Sequence, residues 1–486
     1  MNGERELKRS SLLQLVMAGT LCIAVNIYMS YTGYISYYLT NVIGFGVILA
    51  GSFITIFRIW DAFTDVGMGI IVDRTNSRWG KFRPYMAIGG IGAFVISYIM
   101  IYLPPHIPEG NARKIAFVLI YLVFVLFTTM QACGLRAAAQ IMTEDPKQRV
   151  TYGMINGVFL TVLYSAVPIL VFSRIMPMTK GFNLDFFKKL LWVVSAVSLA
   201  CTVLTLIAFA GKDVKRTEKA GVKQDKFSFK DAILLLKNNR PLQMLVLSAG
   251  TDKLATVLQG NATVVVIMYA IVAGNFKLGS AANSYTMIPS VLMILLGLGA
   301  VGRKFGAKRS LLFASWGGIL VSILSIILWI FGNPRTLSFP GYEGFHGWTF
   351  FTIAYLVLWC VMKGLNLVAT NSLNPMLADV IDYEYYRSSK YCPGTIGAVF
   401  NLADKIISSI GPTVVAILCA MIGFEKELPT IETAYSGSLF TIGLIGMYGL
   451  SFLGLIVNVI CLKFYDLTPE RMVEIRKGIA ERKVEE

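Results

Sequence analysis

The sequence predicts an all-α membrane protein: twelve transmembrane helices in two six-helix repeats, with both termini in the cytoplasm. Three observations carry this reading. Of the 486 residues, 55% are hydrophobic and 15% are charged, unlike a soluble chain of this length. Apolar runs of the length that crosses ~30 Å of hydrocarbon recur along almost the whole chain. Positive charge is concentrated in every second loop.

The apolar runs lie at 12–40, 47–72, 84–104, 114–141, 150–173, 188–210, 241–273, 281–301, 309–332, 348–378, 394–422 and 436–463. The longest hydrophilic stretch divides six from six. This gives an N-terminal bundle over 1–210, a cytoplasmic middle loop over 211–240, a C-terminal bundle over 241–465 and a cytoplasmic tail over 466–486. With Lys114, Lys188, Lys189, Arg309 and Lys463, at the very ends of runs, counted with the adjoining loop or tail, the two tails and the even-numbered loops hold 30 of the 44 lysines and arginines, and the odd-numbered loops hold nine. Basic loops face the cytoplasm, so both tails do too. The remaining five fall inside the runs: Arg58, Arg136, Lys253, Lys363 and Lys405. The halves echo each other weakly. "DRTNSRWGKFRP" follows the second run and "GRKFGAKRS" the eighth; "TEDPKQR" follows the fourth and "ADVIDYEYYR" the tenth. Duplicated bundles of this kind build many secondary transporters, with the solute site between the halves.

Other classes fit poorly. The seven cysteines are scattered without a CxxC pair, and the two histidines lie in loops, which argues against metal centres and disulfide frameworks. No nucleotide-binding loop appears, and the runs leave no room for a soluble catalytic domain. An enzyme is therefore not expected, and no cofactor is. The formal net charge of +16 sits mainly in loops between membrane runs, which points to positive-inside orientation and not to nucleic acid. The partners expected are a small solute and the bilayer of the cell membrane, with the chain as a monomer.

Charges inside the runs mark the candidate site, because each is costly at membrane depth. Asp61 and Asp65 are one helical turn apart and share a face. Two carboxylates that close repel unless a proton or a cation lies between them. A structural cluster with Arg58 is the alternative. On the eleventh run, Asn401, Lys405 and Ser408 form one polar stripe. Lys405 is the natural counter-charge to the two acids; a bridge to Asp404 is the alternative. On the seventh run, Asp252, Thr256, Gln259 and Thr263 follow helical spacing, beside Lys253; on the tenth, Lys363, Asn366, Thr370 and Asn374 do. Such stripes face protein or water, either as helix–helix contacts or as the wall of a polar cavity. On the first run, Tyr37 and Tyr38 are expected in an interfacial belt. Asn26, Tyr28 and Tyr31 sit deeper, where a tyrosine suits a sugar ring.

"RIWDAFTDVGMGIIVDRTNSRWGKFRP" (58–84) resembles the signature of the glycoside–pentoside–hexuronide:cation symporters, a family of the major facilitator fold. "YYLTNVIG" (37–44), "ADVIDYEYYR" (378–387) and "AMIGF" (420–424) extend the resemblance over both halves. It implies a symporter that couples a sugar, glycoside or sugar acid to H⁺ or Na⁺. Asp61 and Asp65 match the family's cation-site carboxylates, and Lys405 matches its lysine on helix eleven. A possible Na⁺ would sit at Asp61 and Asp65. The family's melibiose permease has an acid on helix one where this chain has Val25 or Asn26. Its helix-four acid, shared by sugar and cation, falls at Gln131. Its helix-four tryptophan falls at Leu135, and its helix-five arginine near Asn156. The galactoside site is therefore altered. Substrate contacts are expected from Asn26, Tyr31, Gln131, Arg136, Asn156, Asp252, Lys253, Thr256, Lys363, Asn366 and Thr370. The basic residues Arg136, Lys253 and Lys363 lean towards an acidic sugar. Transport of a lipid-like amphiphile on the same fold is the alternative, which the polar stripes disfavour.

Overall fold

The structure, a computed structural model, describes residues 9–73, 75, 77–135, 137–143, 145–213, 229–342, 345, 347–388 and 393–485. It is all-helical. Among the described residues, ten helices are long and apolar enough to cross a membrane, or eleven if one bent pair is a single span. The N-terminal half contains α1 (Leu12–Thr32), α2 (Val47–Asp73), α3 (Arg83–Tyr102), α4 (Asn111–Ala132), α5 (Pro146–Leu170) and α6 (Leu184–Phe209). The C-terminal half contains α7 (Arg240–Gln259), α8 (Lys277–Phe305), α9 (Ala307–Phe331), α10 (Phe350–Ser388), α11 (Pro393–Ser409, continued by Gly411–Ala420) and α12 (Gly437–Phe464). Within the expected middle loop, Phe229–Asn238 is helical. Part of the expected tail is also a helix, Pro469–Glu485.

Packing follows one scheme twice. In the first half α1 lies against α5 and α6, α3 against α4 and α6, and α2 against α4. In the second, α7 lies against α11 and α12, α9 against α10 and α12, and α8 against α10. Each contact recurs six helices later. The halves meet where α2 packs on α11 and where α5 packs on α8, which is the same pairing exchanged. The leading helices break alike. After Thr32 the chain turns at Gly33 and Tyr34, forms Ile35–Tyr38 and then a π-helical turn, Leu39–Ile43. After Gln259 it turns at Gly260 and Asn261, bends by 49°, forms Ala262–Val265 and then a π-helical turn, Val266–Val272. The uninterrupted runs expected at 12–40 and 241–273 are therefore each two pieces. After α7 the Asn261 side chain accepts from Thr263 N–H and caps the second piece.

On the face reached by the odd-numbered loops, hydrogen bonds clasp the two halves. Tyr37 donates its hydroxyl to the Pro429 carbonyl at 2.8 Å, Val47 N–H donates to the Glu425 carbonyl at 2.8 Å, and the Ser173 and Ser280 hydroxyls lie 2.8 Å apart. About two turns deeper along α2, Thr55 donates to the Ser409 carbonyl at 2.7 Å. Gly51 lets α2 and α11 approach here: a Cβ would come within 2.7 Å of the Ala416 Cβ. Tyr37 and Tyr38 are thus not an interfacial belt. Both are fully buried, and Tyr38 donates to the Ile101 carbonyl at 3.0 Å.

The basic loop after α2 is built around a residue far along the chain. The Asp213 carboxylate, buried at the end of α6, accepts from the backbone N–H groups of Lys81, Phe82 and Arg83 at 3.1, 2.9 and 3.0 Å. These are donors that α3 leaves unsatisfied at its N-terminus, where negative charge is also favoured. Gly80, at φ +106°, turns the chain into this contact; a Cβ there would fall 2.3 Å from Asp213 Oδ2. Asp213→Ala should therefore cost about 1.5–3 kcal/mol, the range for hydrogen bonds to a charged group. Gly80→Ala should be similarly destabilising. Thermal melts of the purified variants check this, and wild-type melting of both would exclude a structural role for the contact.

Candidate functional site

Asp61 and Asp65 project from successive turns of α2 towards α11. The Lys405 ammonium lies between them, 2.6 Å from Asp61 Oδ2 and 2.7 Å from Asp65 Oδ2. All three side chains are mostly buried, yet each keeps about a fifth to a quarter of its surface accessible. This bridge joins the two halves. The other Asp61 oxygen, Oδ1, accepts from the Thr129 hydroxyl of α4 at 3.3 Å. Thr129 is in turn 3.0 Å from the hydroxyl of Thr64, which lies between the two acids on α2. Arg58 makes no ion pair with Asp61 within 4 Å; it lies within electrostatic reach of Asp61, Tyr121 and Tyr164. The sequence-level alternative for Lys405, a bridge to Asp404, is not what forms.

Gln131 is not brought to the carboxylates. Its amide is fully buried within the N-terminal half and donates to Ser198 at 3.1 Å and Thr202 at 2.7 Å on α6. Residues two apart on a helix point about 200° apart, so Thr129 and Gln131 cannot both face α2. Thr129 and Thr64 were invisible as site residues because threonines recur throughout the runs. A hydroxyl one helix face away from Gln131 was the available signal.

The expected solute contacts divide. Asn26 accepts from the Tyr164 hydroxyl of α5 at 2.9 Å, and Tyr164 stays half exposed. With Arg58 within reach of Tyr164, these form a polar group in the N-terminal half; Tyr164 is a residue the sequence reading missed. Tyr31 lies elsewhere: it is fully buried, with its hydroxyl 3.5 Å from the Phe187 carbonyl and its ring edge-on to Phe187. Asn156 packs against Gly19 of α1 with its buried Oδ1 unpartnered, inside the bundle. Arg136 lies outside the described residues.

In the C-terminal half, Lys253 is not free positive charge. It pairs with Asp404 of α11 at 2.5 Å. Lys363 has no acidic partner among the described residues. Its ammonium donates to Thr286 at 2.9 Å and Asn283 at 3.3 Å on α8, and lies 5.9 Å from the centre of the Trp359 ring. Thr256 and Thr370 are exposed and Asn366 is half-buried, with both hydroxyls turned back to their own helix carbonyls. Gln259 donates to Ser451 of α12 at 2.8 Å, so the lower part of the α7 stripe is a helix–helix contact.

The arrangement is a paired-carboxylate site at the junction of two similar bundles, with polar groups in each half. The sequence profile of the family described as MFS/sugar transport protein matches residues 18–469. The chain is 23% identical to the uncharacterized symporter YnaJ of Bacillus subtilis (strain 168), over 94% of this chain and 92% of that one. It is also 23% identical to the glucuronide carrier protein homolog of Escherichia coli (strain K12), over 92% and 91% of the two chains. Among solved structures, the nucleoside transporter NupG superposes with a TM-score of 0.58 at 14% identity, over 94% of this chain and 100% of that one.

Removing the ammonium tests the geometry. Lys405→Met takes the ammonium from between two facing carboxylates. In sodium-free buffer at neutral pH the variant should lose about 3 kcal/mol, the lower end for breaking a buried pair, since these groups keep some solvent. With the ammonium gone the two carboxylates repel, and a proton on either one relieves that repulsion. The variant's stability should therefore rise as pH falls and drop as pH rises. Added Na⁺ should restore it if the site takes sodium. A variant that melts like wild type across pH would show that Lys405 does not neutralise the pair.

Proposed function

The chain belongs to the MFS/sugar transport protein family, the glycoside–pentoside–hexuronide:cation symporters of the major facilitator superfamily, and from that premise we propose that it carries a sugar, glycoside or sugar acid inward, coupled to H⁺ or Na⁺, by alternating access. The observation that supports this reading most directly is the Lys405 bridge to Asp61 and Asp65. In the empty carrier, Lys405 substitutes for the coupling cation. An arriving H⁺ or Na⁺ neutralises the carboxylates, loosens the lysine and so loosens the tie between α2 and α11. H⁺ is favoured over Na⁺, because two carboxylates and one hydroxyl make a sparse oxygen cage.

In this reading Lys277–Phe305 is a further span and completes twelve, residues 1–210 and 241–465 are the two moving bundles, and both termini lie in the cytoplasm of a cell-membrane protein. The clasped face, with Tyr37 on Pro429 and Val47 on Glu425, is then the outer one, and the molecule is inward-facing. The solute lies between the halves, with Asn26, Tyr164 and Arg58 on one side and Thr256, Lys363, Asn366 and Thr370 on the other. Lys363, held by neutral partners, favours a solute carrying a carboxylate, in line with the name of the glucuronide carrier homolog.

Two outcomes are expected. Asp61→Asn should abolish uphill accumulation of the transported solute in vesicles while leaving exchange partly intact; accumulation at the wild-type level would remove Asp61 from coupling. A glucuronide should compete for binding better than the matching neutral glucoside, by about tenfold, the effect of one charge-assisted hydrogen bond. Lys363→Gln should erase that preference. Equal competition by the two sugars at the wild-type protein would reject the acidic solute and leave the symporter reading in place.

A further inference from the structure

We propose that Asp252, beside the Lys253–Asp404 ion pair, forms a second proton-binding site, in the C-terminal half and separate from Asp61 and Asp65. Asp404 is 6% exposed. Its Oδ2 takes the Lys253 ammonium at 2.5 Å, while its Oδ1 has no hydrogen-bond partner. A buried carboxylate oxygen normally has a donor. Asp252 precedes Lys253 on α7 and lies within electrostatic reach of Asp404. Its own carboxylate accepts no hydrogen bond from any described residue. Asp404 takes the Lys253 ammonium, Asp252 makes no ion pair with any described residue, and one negative charge is left over inside membrane-spanning helices, where charge is costly. A single proton removes that charge and converts one acid into the donor that this corner lacks.

The neighbouring charges do not cancel it. On α11, Lys405 is turned to α2 and taken by Asp61 and Asp65. On α10, Lys363 is held by Asn283 and Thr286, Glu384 is bonded by Asn239 and Arg387, and Asp379 and Asp382 have partners of their own. On α12 the ionisable groups are Tyr448, 3.1 Å from the Trp329 indole N–H, then Cys461 and Lys463 in its last turn. The short helix Phe229–Asn238 brings Lys237 in its last turn, at the start of α7 and about three to four turns from Asp252. A proton fits better than a metal ion, since no three acidic, histidine or cysteine side chains gather to hold one among the described residues. The proposal does not depend on which solute is carried, and its test needs none.

The test is pH-difference infrared spectroscopy of the purified full chain in lipid nanodiscs, reading the C=O stretch of protonated carboxyls. In wild type and Asp61→Asn, one buried carboxyl band should titrate that Asp252→Asn lacks. Asp252→Glu should keep a band at a displaced frequency, and saturating Na⁺ should leave it in place. The same titrating bands in wild type and a folded Asp252→Asn would overturn the proposal, and so would a band that Na⁺ removes. Should Asp252→Asn fail to fold, Asp252→Glu decides alone: a displaced band supports the site, and an unmoved spectrum rejects it.

Discussion

One ammonium between two carboxylates ties the two halves of this molecule together at their junction. Asp61 and Asp65 carry two negative charges on one helix face, and Lys405 carries one positive charge on a helix of the other half. In the proposed cycle the two carboxylates receive the coupling cation. The lysine makes the site tolerable without one. In that cycle, cation occupancy and the contact between α2 and α11 become one variable. That is the physical content of coupling: a ligand shifts an equilibrium only by binding its two states differently.

Helix α11 occupies a special place in this scheme because adjacent residues on it serve different halves. Neighbouring side chains on a helix point about 100° apart. Lys405 faces α2 across the junction, and Asp404 faces α7 within its own half. The rotation of α11 that presents one charge fixes the other as well. Each half is meanwhile stiffened at its own base. Asp213 caps α3 in the first half. In the second, Lys308 of α9 donates to the Tyr465 carbonyl and lies within electrostatic reach of Asp466.

Much of this was legible in the sequence, and the reasons differ by residue. The helices were legible because a chain that crosses hydrocarbon must be apolar for about twenty residues at a time. Asp61, Asp65 and Lys405 were legible because charges are rare and costly in such runs. Their pairing follows from electrostatics once α2 and α11 touch. The breaks after Thr32 and Gln259 were not legible, since hydropathy is blind to a turn whose flanks stay apolar. Tyr37 and Tyr38 misled because a tyrosine at a helix end suits an interface and suits a buried contact equally. Here the backbone carbonyls of Pro429 and Ile101 supply the partners that burial requires. Gln131 and Lys253 misled for another reason. A polar stripe states which residues share a face and not which neighbour that face meets. For Gln131 the neighbour is α6, and for Lys253 it is an aspartate.

The same reasoning explains why the polar groups are shared unevenly between stable and labile places. Bonds within a half, such as Gln131 to Thr202 or Gln259 to Ser451, are buried and neutral, and nothing in a transport cycle calls for breaking them. Bonds between the halves are of two kinds. On the clasped face they are single neutral hydrogen bonds, Tyr37 to Pro429 and Ser173 to Ser280, each worth only about 1 kcal/mol net. At the junction they are charged, and their strength depends on what else is bound. A carrier needs a gate that opens at modest cost and a lock that responds to its cargo. In the proposed cycle, neutral bonds at the rim and ionic bonds at the centre meet those two needs separately, and the ionic lock is what requires aspartates at a depth where the bilayer resists them.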